Sequence, residues 1–509
     1  MRINRVWLVI CTVLLVGIVP LFARGNAESQ RETAVPDVVV FGLSGDPDTL
    51  DPQATSGTLT FQVLRSIYDT LVEPNEEGQL VPALAESWEI SDDGLLWTFN
   101  LRRGVVFHHG AEFTSADVVA TLERVRDPVE ASPNAFEYEV IETVEAVDSH
   151  TVQLVLREPF APLLATLASG WSAILPADLI AQGHPFASQP VGTGPFSFDR
   201  WVRDSEIVLR RNDGYWIPGA PHMAGVRFQI ITEQSVKAQA LISGEIHIAD
   251  VLVEPELSLI RNAPTTVIYE SPSALVMVLA INTSRAPLNN LDVRRALNAA
   301  IQKQQVMDTA YSGGIPVATF MDAGNPYYVD FSDLHPYDPD LARSIVAGID
   351  FPRELVITLP QNFEPHVRAG EMYHEMLRQV GFPVRTQLVD WSTWIGDVYG
   401  NAQYDLTVIG HTGKLDPHGR LARFGTADTY VRWEDPITAQ AIEEASRISD
   451  PAERRELYSR ALERMAQQLP FVFIGSPLRS VGLDRRIAGF YMDSQLDTAD
   501  LRNVRFNQP

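Results

Sequence analysis

The order of strand and helix signals along the chain limits its fold more than any other feature. The signals alternate in two blocks, one up to about residue 251 and one from residue 275. In the first block, VVVFGL (38–43) is a short apolar strand that ends in the turn GDPDTLDP (45–52). FQVLRSIYDTL (61–71) places Phe61, Leu64, Ile67, Tyr68 and Leu71 at helical spacing. Trp97, Phe99 and Leu101 alternate as a strand after the hairpin turn SDDG (91–94), and Thr114 or Ser115 caps a helix running to about Val125. Strands are expected near 140–147, 151–157, 206–210 and 226–231, then a helix at 233–243 capped by Thr232 and a strand with its turn at 246–251. The second block gives strands at 275–281, 354–359, 384–389 and 404–410, with helices at 291–302, 365–380 and 391–400. Asp450-Pro451-Ala452-Glu453 combines a cap, a proline at the first helical position and an acid, so a helix runs from there to about Gln468. FVFIG (471–475) then reads as a buried strand. Two such blocks predict an α/β protein of at least two lobes. The proline- and glycine-rich stretch 173–198 and residues 475–480 are the expected crossings between them.

A chain of 509 residues exceeds one ordinary domain. With 45% hydrophobic and 21% charged residues it has the composition of a folded protein. The N-terminus joins Arg2 and Arg5 to an apolar run from Val6 to Phe22 and then to the small residues Ala23, Gly25 and Ala27. That is the layout of a secretory signal peptide, residues 1–27, cleaved after Ala27 or after Ala23. The run is also at the short limit of a membrane anchor, but Pro20 and the small-residue exit favour cleavage. Cys11 follows Ile10 and sits early in the run, so no lipidation is expected. Cys11 is the only cysteine, and the mature chain therefore has no disulfide, thiolate nucleophile or cysteine metal site. Loss of Arg2, Arg5 and Arg24 takes the net charge from −25 to −28. So acidic a surface argues against nucleic acid or anionic lipid as partners.

Polar chemistry concentrates in GHTGKLDPHGRL (410–421). His411, Asp416 and His418 there have ligand types for a hard-to-borderline cation, or they line a pocket that only binds. The loop carries three glycines and no HExxH, which disfavours a catalytic metal. No GxSxG and no Walker A motif occurs, so neither a nucleophile elbow nor a nucleotide site is expected. Glu443-Glu444 reads as a solvated helix face. Lys414 suggests a ligand with an anionic group, or else a partner in Asp416. Trp391 and Trp394 open a helix after a strand, three residues apart on one face. Helix starts of this kind face the crevice of an open α/β sheet, although core packing is an equal reading for each. Ser56 and Thr58 are further candidates for hydrogen bonds to a ligand, and Trp433 is another candidate contact. Trp88, Trp97 and Trp216 are assigned to packing.

The run IYDTLVEPNEEGQLVPALAESWEISDDGLLWTFNLRRGVVFHHGAEFTSADVV (67–119) resembles the extracellular solute-binding proteins of the peptide/nickel type, family 5, which serve ATP-driven (ABC) importers in bacteria. GDPDTLDPQ (45–53), VGTGPFSF (191–198), RRNDGYW (210–216) and INTSRAPLNNLDVRRALNAAI (281–301) extend the resemblance over nearly the whole mature chain. His109 departs from it, standing where the family usually has an acid. The resemblance implies a two-lobed periplasmic-binding-protein-like fold of type II, with a third, smaller domain inserted in lobe 1. Carried over, lobe 1 comprises 36–57, 172–272 and 475–509, the inserted domain 58–171 and lobe 2 273–474. In relatives the loop after the strand Tyr404-Asp405-Leu406 lines the cleft, and its acid holds the amino terminus of a peptide. Asp416-Pro417 matches, but Gly413 or Lys414 stands at the usual acid and His411 at a common aromatic. The resemblance adds Trp171, at the exit of the inserted domain, as a contact from the opposite wall. The ligand set expected is thus Ser56, Trp171, Trp391, Trp394, His411, Thr412, Lys414 and Asp416, with no catalytic residue, metal or cofactor. The resemblance implies a monomeric, non-enzymatic periplasmic protein that delivers a small solute to an ABC permease. A peptide is the first choice of ligand and an oligosaccharide or small anionic conjugate the second, with a secreted metal-dependent hydrolase the least favoured alternative.

Overall fold

The computed structural model describes residues 36–507 apart from 56, 131, 251 and 362. The expected signal segment 1–27, with Cys11, lies outside the described residues. One strand organises the rest. Phe471–Asp484 is 14 residues long. Its first part pairs antiparallel with Val276–Ile281 and Gly314–Pro316, and its second part with Thr266–Pro272 and Ile248–Ala249. A single 12-stranded sheet results, and this strand belongs to both of its halves. The expected strand 471–475 is therefore the opening third of a longer element that carries the crossing at 475–480 within it.

Beyond Val276–Ile281 the sheet continues through Leu406–His411, Leu355–Pro360 and Val384–Val389, the last two pairs being parallel. All six residues of Val276–Ile281 are buried, as a strand covered on both faces requires. Met277, Leu279 and Ile281 pack with Leu297, Tyr373 and Leu377, while Val276, Val278 and Ala280 pack with Phe320, Trp394 and Tyr458. The period of two along the strand thus feeds two separate helical layers. On the other side of the long strand lie Val38–Leu43, Gly225–Ile230, Glu206–Arg211 and Phe196–Val202. Phe41 and Leu43 pack with Phe196 and Phe228 on one face, and Val40 packs with Leu241 and Ile260 on the other. A third body has its own antiparallel sheet, Ala85–Ile90, Leu96–Leu101, Thr151–Leu156 and Ile141–Asp148. The helix Ser115–Arg126, started by a capping box between Thr114 and Asp117, closes its core over Trp97, Phe99 and Leu154.

Aspartate followed by proline opens helix after helix in the second half. Asp338, Asp416, Asp435 and Asp450 each accept a backbone N–H at the start of Pro339–Val346, Pro417–Leu421, Pro436–Arg447 and Pro451–Gln468. Elsewhere the pattern misled. The helix expected over 61–71 occupies Thr58–Leu64 instead. The carbonyls of Ser66 and Ile67 accept from Phe196 and Gly194, which removes them from any helix. A Cβ on Gly194 would lie 2.5 Å from the carbonyl carbon of Ile67, so VGTGPF is a packing motif. The helix expected over 391–400 is one α-turn, Trp391–Thr393, running into a π-helix, Trp394–Gly400. Glu233, not Thr232, sits at the N-cap of Gln234–Ser243.

Candidate ligand-binding cleft

A cavity of about 1060 Å³ opens where the three bodies meet. Phe61, Arg65 and Asp69 line it beside the half of the large sheet that holds Val38–Leu43, Glu137, Phe160 and Trp171 from around the four-stranded sheet, and Tyr399, Thr412–Asp416, His418 and Arg423 from the half that holds Val276–Ile281. The segments at 273–275 and 494–498 complete it beside the crossing strand. Of the expected contacts, Trp171, Thr412, Lys414 and Asp416 are on its wall, as is Thr58. Trp391, Trp394 and His411 are not among the lining residues. Ser56 lies outside the described residues.

The loop reaches the cavity because the strand Leu406–His411 ends against Val276, and the chain then crosses very close to its neighbour. A Cβ on Gly413 would lie 2.3 Å from the Cβ of Ala274 and 3.1 Å from the carbonyl of Gln495. Only glycine permits that approach. Buried Arg420 then pins the loop, donating to the carbonyls of Ala274 (2.5 Å), Thr412 (3.0 Å) and Phe320 (3.2 Å). Asp416 turns the chain into the next helix by accepting from the His418 N–H at 2.9 Å.

Asp416 has a second commitment. Its carboxylate accepts from Arg454 at 2.7 Å and from the Tyr458 hydroxyl at 3.4 Å, in a pair whose side chains are only 10% and 8% exposed. Lys414 therefore finds its partner elsewhere than in Asp416. Its ammonium lies 3.7 Å from Glu137, across the cavity, and 5.3 Å from the centre of the Trp171 ring. Burial raises the Glu137 carboxyl above its usual range, and Lys414 opposes that shift. Nothing in the sequence singled out Glu137, one acid between Phe136 and Tyr138. Arg423, just past the quoted loop, was also missed. Arg65, Lys414 and Arg502 on the wall have carboxylate partners, whereas Arg423 has none among the described residues. Asp497, also on the wall, is held by Arg479, and burial pushes its carboxyl up to about 6.

The remaining expected residues belong to the core or its edge. His411 is packed edge-on to Phe320 at 4.8 Å and shares a 2.7 Å hydrogen bond with the Tyr430 hydroxyl. Burial and the nearby Arg420 lower its pKa to about 3, so the imidazole is neutral. His418 stacks edge-on against Phe160 at 5.3 Å. Among the described residues no three His, Cys, Asp or Glu side chains converge on a metal position. Trp394 is buried and donates to Thr407 at 2.9 Å. Trp391 stacks on it, 5.0 Å away and 5° from parallel. Trp433 is buried in the core layer of Phe320 and Tyr458.

Residues 79–430 match the model of the bacterial extracellular solute-binding proteins, family 5 middle region. The chain belongs to that family. The glutathione-binding protein GsiB of Escherichia coli (strain K12) is 29% identical over 475 residues, covering 90% of this chain and 92% of GsiB. The di/tripeptide-binding protein 1 of Pseudomonas aeruginosa (strain UCBPP-PA14) is 29% identical over 499 residues, covering 90% and 93%. The solved structure of HbpA2 from Haemophilus parasuis superposes with a TM-score of 0.83 at 25% identity, over 92% of this chain and 100% of that one. This solute-binding protein thus has the two-lobed α/β architecture of the type II binding proteins. The single strand Phe471–Asp484 is shared by both halves of the sheet.

Proposed function

We propose that this solute-binding protein captures a short peptide in the cavity and delivers it to the membrane permease of an ABC importer. The observation that carries the reading is the cavity itself. About 1060 Å³ is at the upper end of the range for ligand sites, enough for more than a single amino acid. Lys414–Glu137 and Arg502–Glu73 pair wall with wall, Arg65 and Asp416 pair with charges outside the lining, and Arg423 is a wall cation with no carboxylate partner among the described residues. A ligand carboxylate completes Arg423, and the free backbone of an extended peptide meets the polar groups of Thr58 and Thr412. The relatives named above, a glutathione-binding protein and a di/tripeptide-binding protein, support the same class. An oligosaccharide loses its main argument, because Trp391 and Trp394 stack on each other away from the cavity.

On this reading the leader 1–27 directs export to the periplasm, where the protein works as a monomer. Lobe 1 is 36–57, 172–272 and 475–509, the inserted domain is 58–171 and lobe 2 is 273–474, and closure of the lobes buries the ligand. Thermal unfolding of the mature protein against dipeptides, tripeptides, glutathione and oligosaccharides tests it. A peptide at a hundredfold excess over its Kd adds ~2.7 kcal/mol of stability and raises Tm by several degrees. A response to oligosaccharides alone would sink the peptide reading.

A further inference from the structure

Resting on the peptide reading, we propose that Glu137, Trp171 and Lys414 form a subsite for a free α-amino-acid head. Such a group carries its ammonium and its carboxylate on one carbon. The ligand ammonium takes the place of Lys414 against Glu137 and the Trp171 face. Lys414 then turns to the ligand carboxylate.

Four observations lead here. The Glu137–Lys414 pair spans the cavity between walls contributed by distant parts of the chain, and all three residues line it. At 3.7 Å the pair is longer than the 2.7–2.9 Å of a close charge-assisted hydrogen bond, whereas Arg454–Asp416 nearby has 2.7 Å. A carboxylate beside an aromatic face is a cation site, and in this structure the lysine of the opposite wall occupies it, 5.3 Å from the ring centre. The same indole has a buried N–H with no partner among the described residues.

The charge rule then selects the ligand. A ligand bringing only a cation would displace Lys414 and leave it unpaired in a closing cleft. One bringing only an anion would strip Lys414 from Glu137. Leaving either charge buried and alone is strongly unfavourable. A group carrying both charges exchanges with the pair and leaves every ion matched. An ordinary α-linked peptide offers the ammonium without an adjacent carboxylate. A γ-glutamyl peptide offers both.

The test uses the mature protein and three tripeptides: glutathione (γ-Glu-Cys-Gly), its α-linked isomer, and N-acetylglutathione. Calorimetric titration of the wild type is expected to rank glutathione first, with the other two weaker by tenfold or more. Lys414→Met keeps an unbranched apolar stem and removes the charge. It is expected to lose at least tenfold in affinity for glutathione and less than about threefold for the α-linked isomer. Glu137→Gln is expected to weaken both of these tripeptides, because both carry the ammonium. The ligand series on the wild type stands even where a variant folds poorly. Equal affinity of the wild type for the two linkage isomers overturns the inference and leaves the peptide reading intact. So does glutathione binding unchanged in both variants. If the wild type binds none of the tripeptides but does bind an oligosaccharide, both proposals fall together.

Discussion

Within four residues, the loop 413–416 makes two ion pairs of different character. Asp416 meets Arg454 at 2.7 Å beside the core layer of Tyr458, with both side chains about nine-tenths buried. Lys414 meets Glu137 at 3.7 Å across the cavity, with side chains 35% and 21% exposed. Both pairs join opposite charges, so residue type does not separate them. Burial and position do. The first pair lies between elements that pack on each other permanently, and it also caps a helix. The second joins two residues that both line the cavity. The same interaction is scaffold in one place and an exchangeable contact two residues away.

The largest expected effect is on the scaffold pair. Asp416→Ala leaves Arg454 buried without its carboxylate, and removing one partner of a buried pair costs ~3–5 kcal/mol. Loss of the cap adds ~1 kcal/mol. Urea unfolding should show this as a lower midpoint with an unchanged m-value. Lys414→Ala, assayed in the same way, should cost less than ~1 kcal/mol, as partly exposed pairs do. Equal costs would erase the distinction between the pairs.

Gly413→Ala probes the joint that places the two pairs. Its added Cβ meets the Ala274 side chain and the Gln495 carbonyl, and overpacking of this kind costs ~1–3 kcal/mol. The loop must shift, so ligand affinity should fall together with stability. A fall in stability alone would mean that Lys414 does not depend on that close approach.

His411, half-buried at the start of the same loop, has no ion pair among the described residues. Its pKa is about 3, below the usual 6.5, so the unfolded chain takes up a proton that the folded one refuses. The stability it supports is complete above pH 6.5 and is lost as pH falls toward 3. The slope is up to about 1.4 kcal/mol per pH unit for one site. The difference in stability between wild type and His411→Gln, followed by urea unfolding from pH 7 to pH 5, should show that slope. A flat difference would mean that the imidazole is not held neutral.

These residues also show what the sequence could reveal. Asp450 reads in the sequence as a helix start and is one, because Asp-Pro is a local signal whose meaning lies within a few residues; Asp416 carries the same signal, but in the sequence it reads as a ligand contact. Strands such as Val276–Ile281 were readable for the same reason, since an unbroken apolar run marks burial on both faces. Lys414 was readable as unusual, but its partner was not. Glu137 comes to it only through the tertiary fold, and nothing in NAFEYEV marks that acid. Trp391 and Trp394 share a face as their spacing demands, yet that face stacks on itself over the core. Spacing fixes which side chains are neighbours and leaves open what the shared face meets. The departure of residues 394–400 into a π-helix has no local signal that we can name.

The smallest effect concerns Glu137 and turns the comparison into a matter of sign. Burial is the first cause of its shift, and the folded pKa stands above the unfolded one. Its contribution is therefore fully present below the unfolded pKa and is lost as pH rises through the folded value. At pH 7 the ionised Glu137 is a mild liability to the empty protein. Glu137→Gln should raise Tm slightly at pH 7, and the gain should vanish on acidification through the carboxylate range. Asp416→Ala moves Tm in the opposite direction at pH 7. A group that is useful to the ligand and costly to the empty fold is expected at a binding site, where stability and function pull apart. If Glu137→Gln lowers Tm at pH 7 as Asp416→Ala does, the cross-cavity pair is scaffold too, and the distinction between the two pairs collapses.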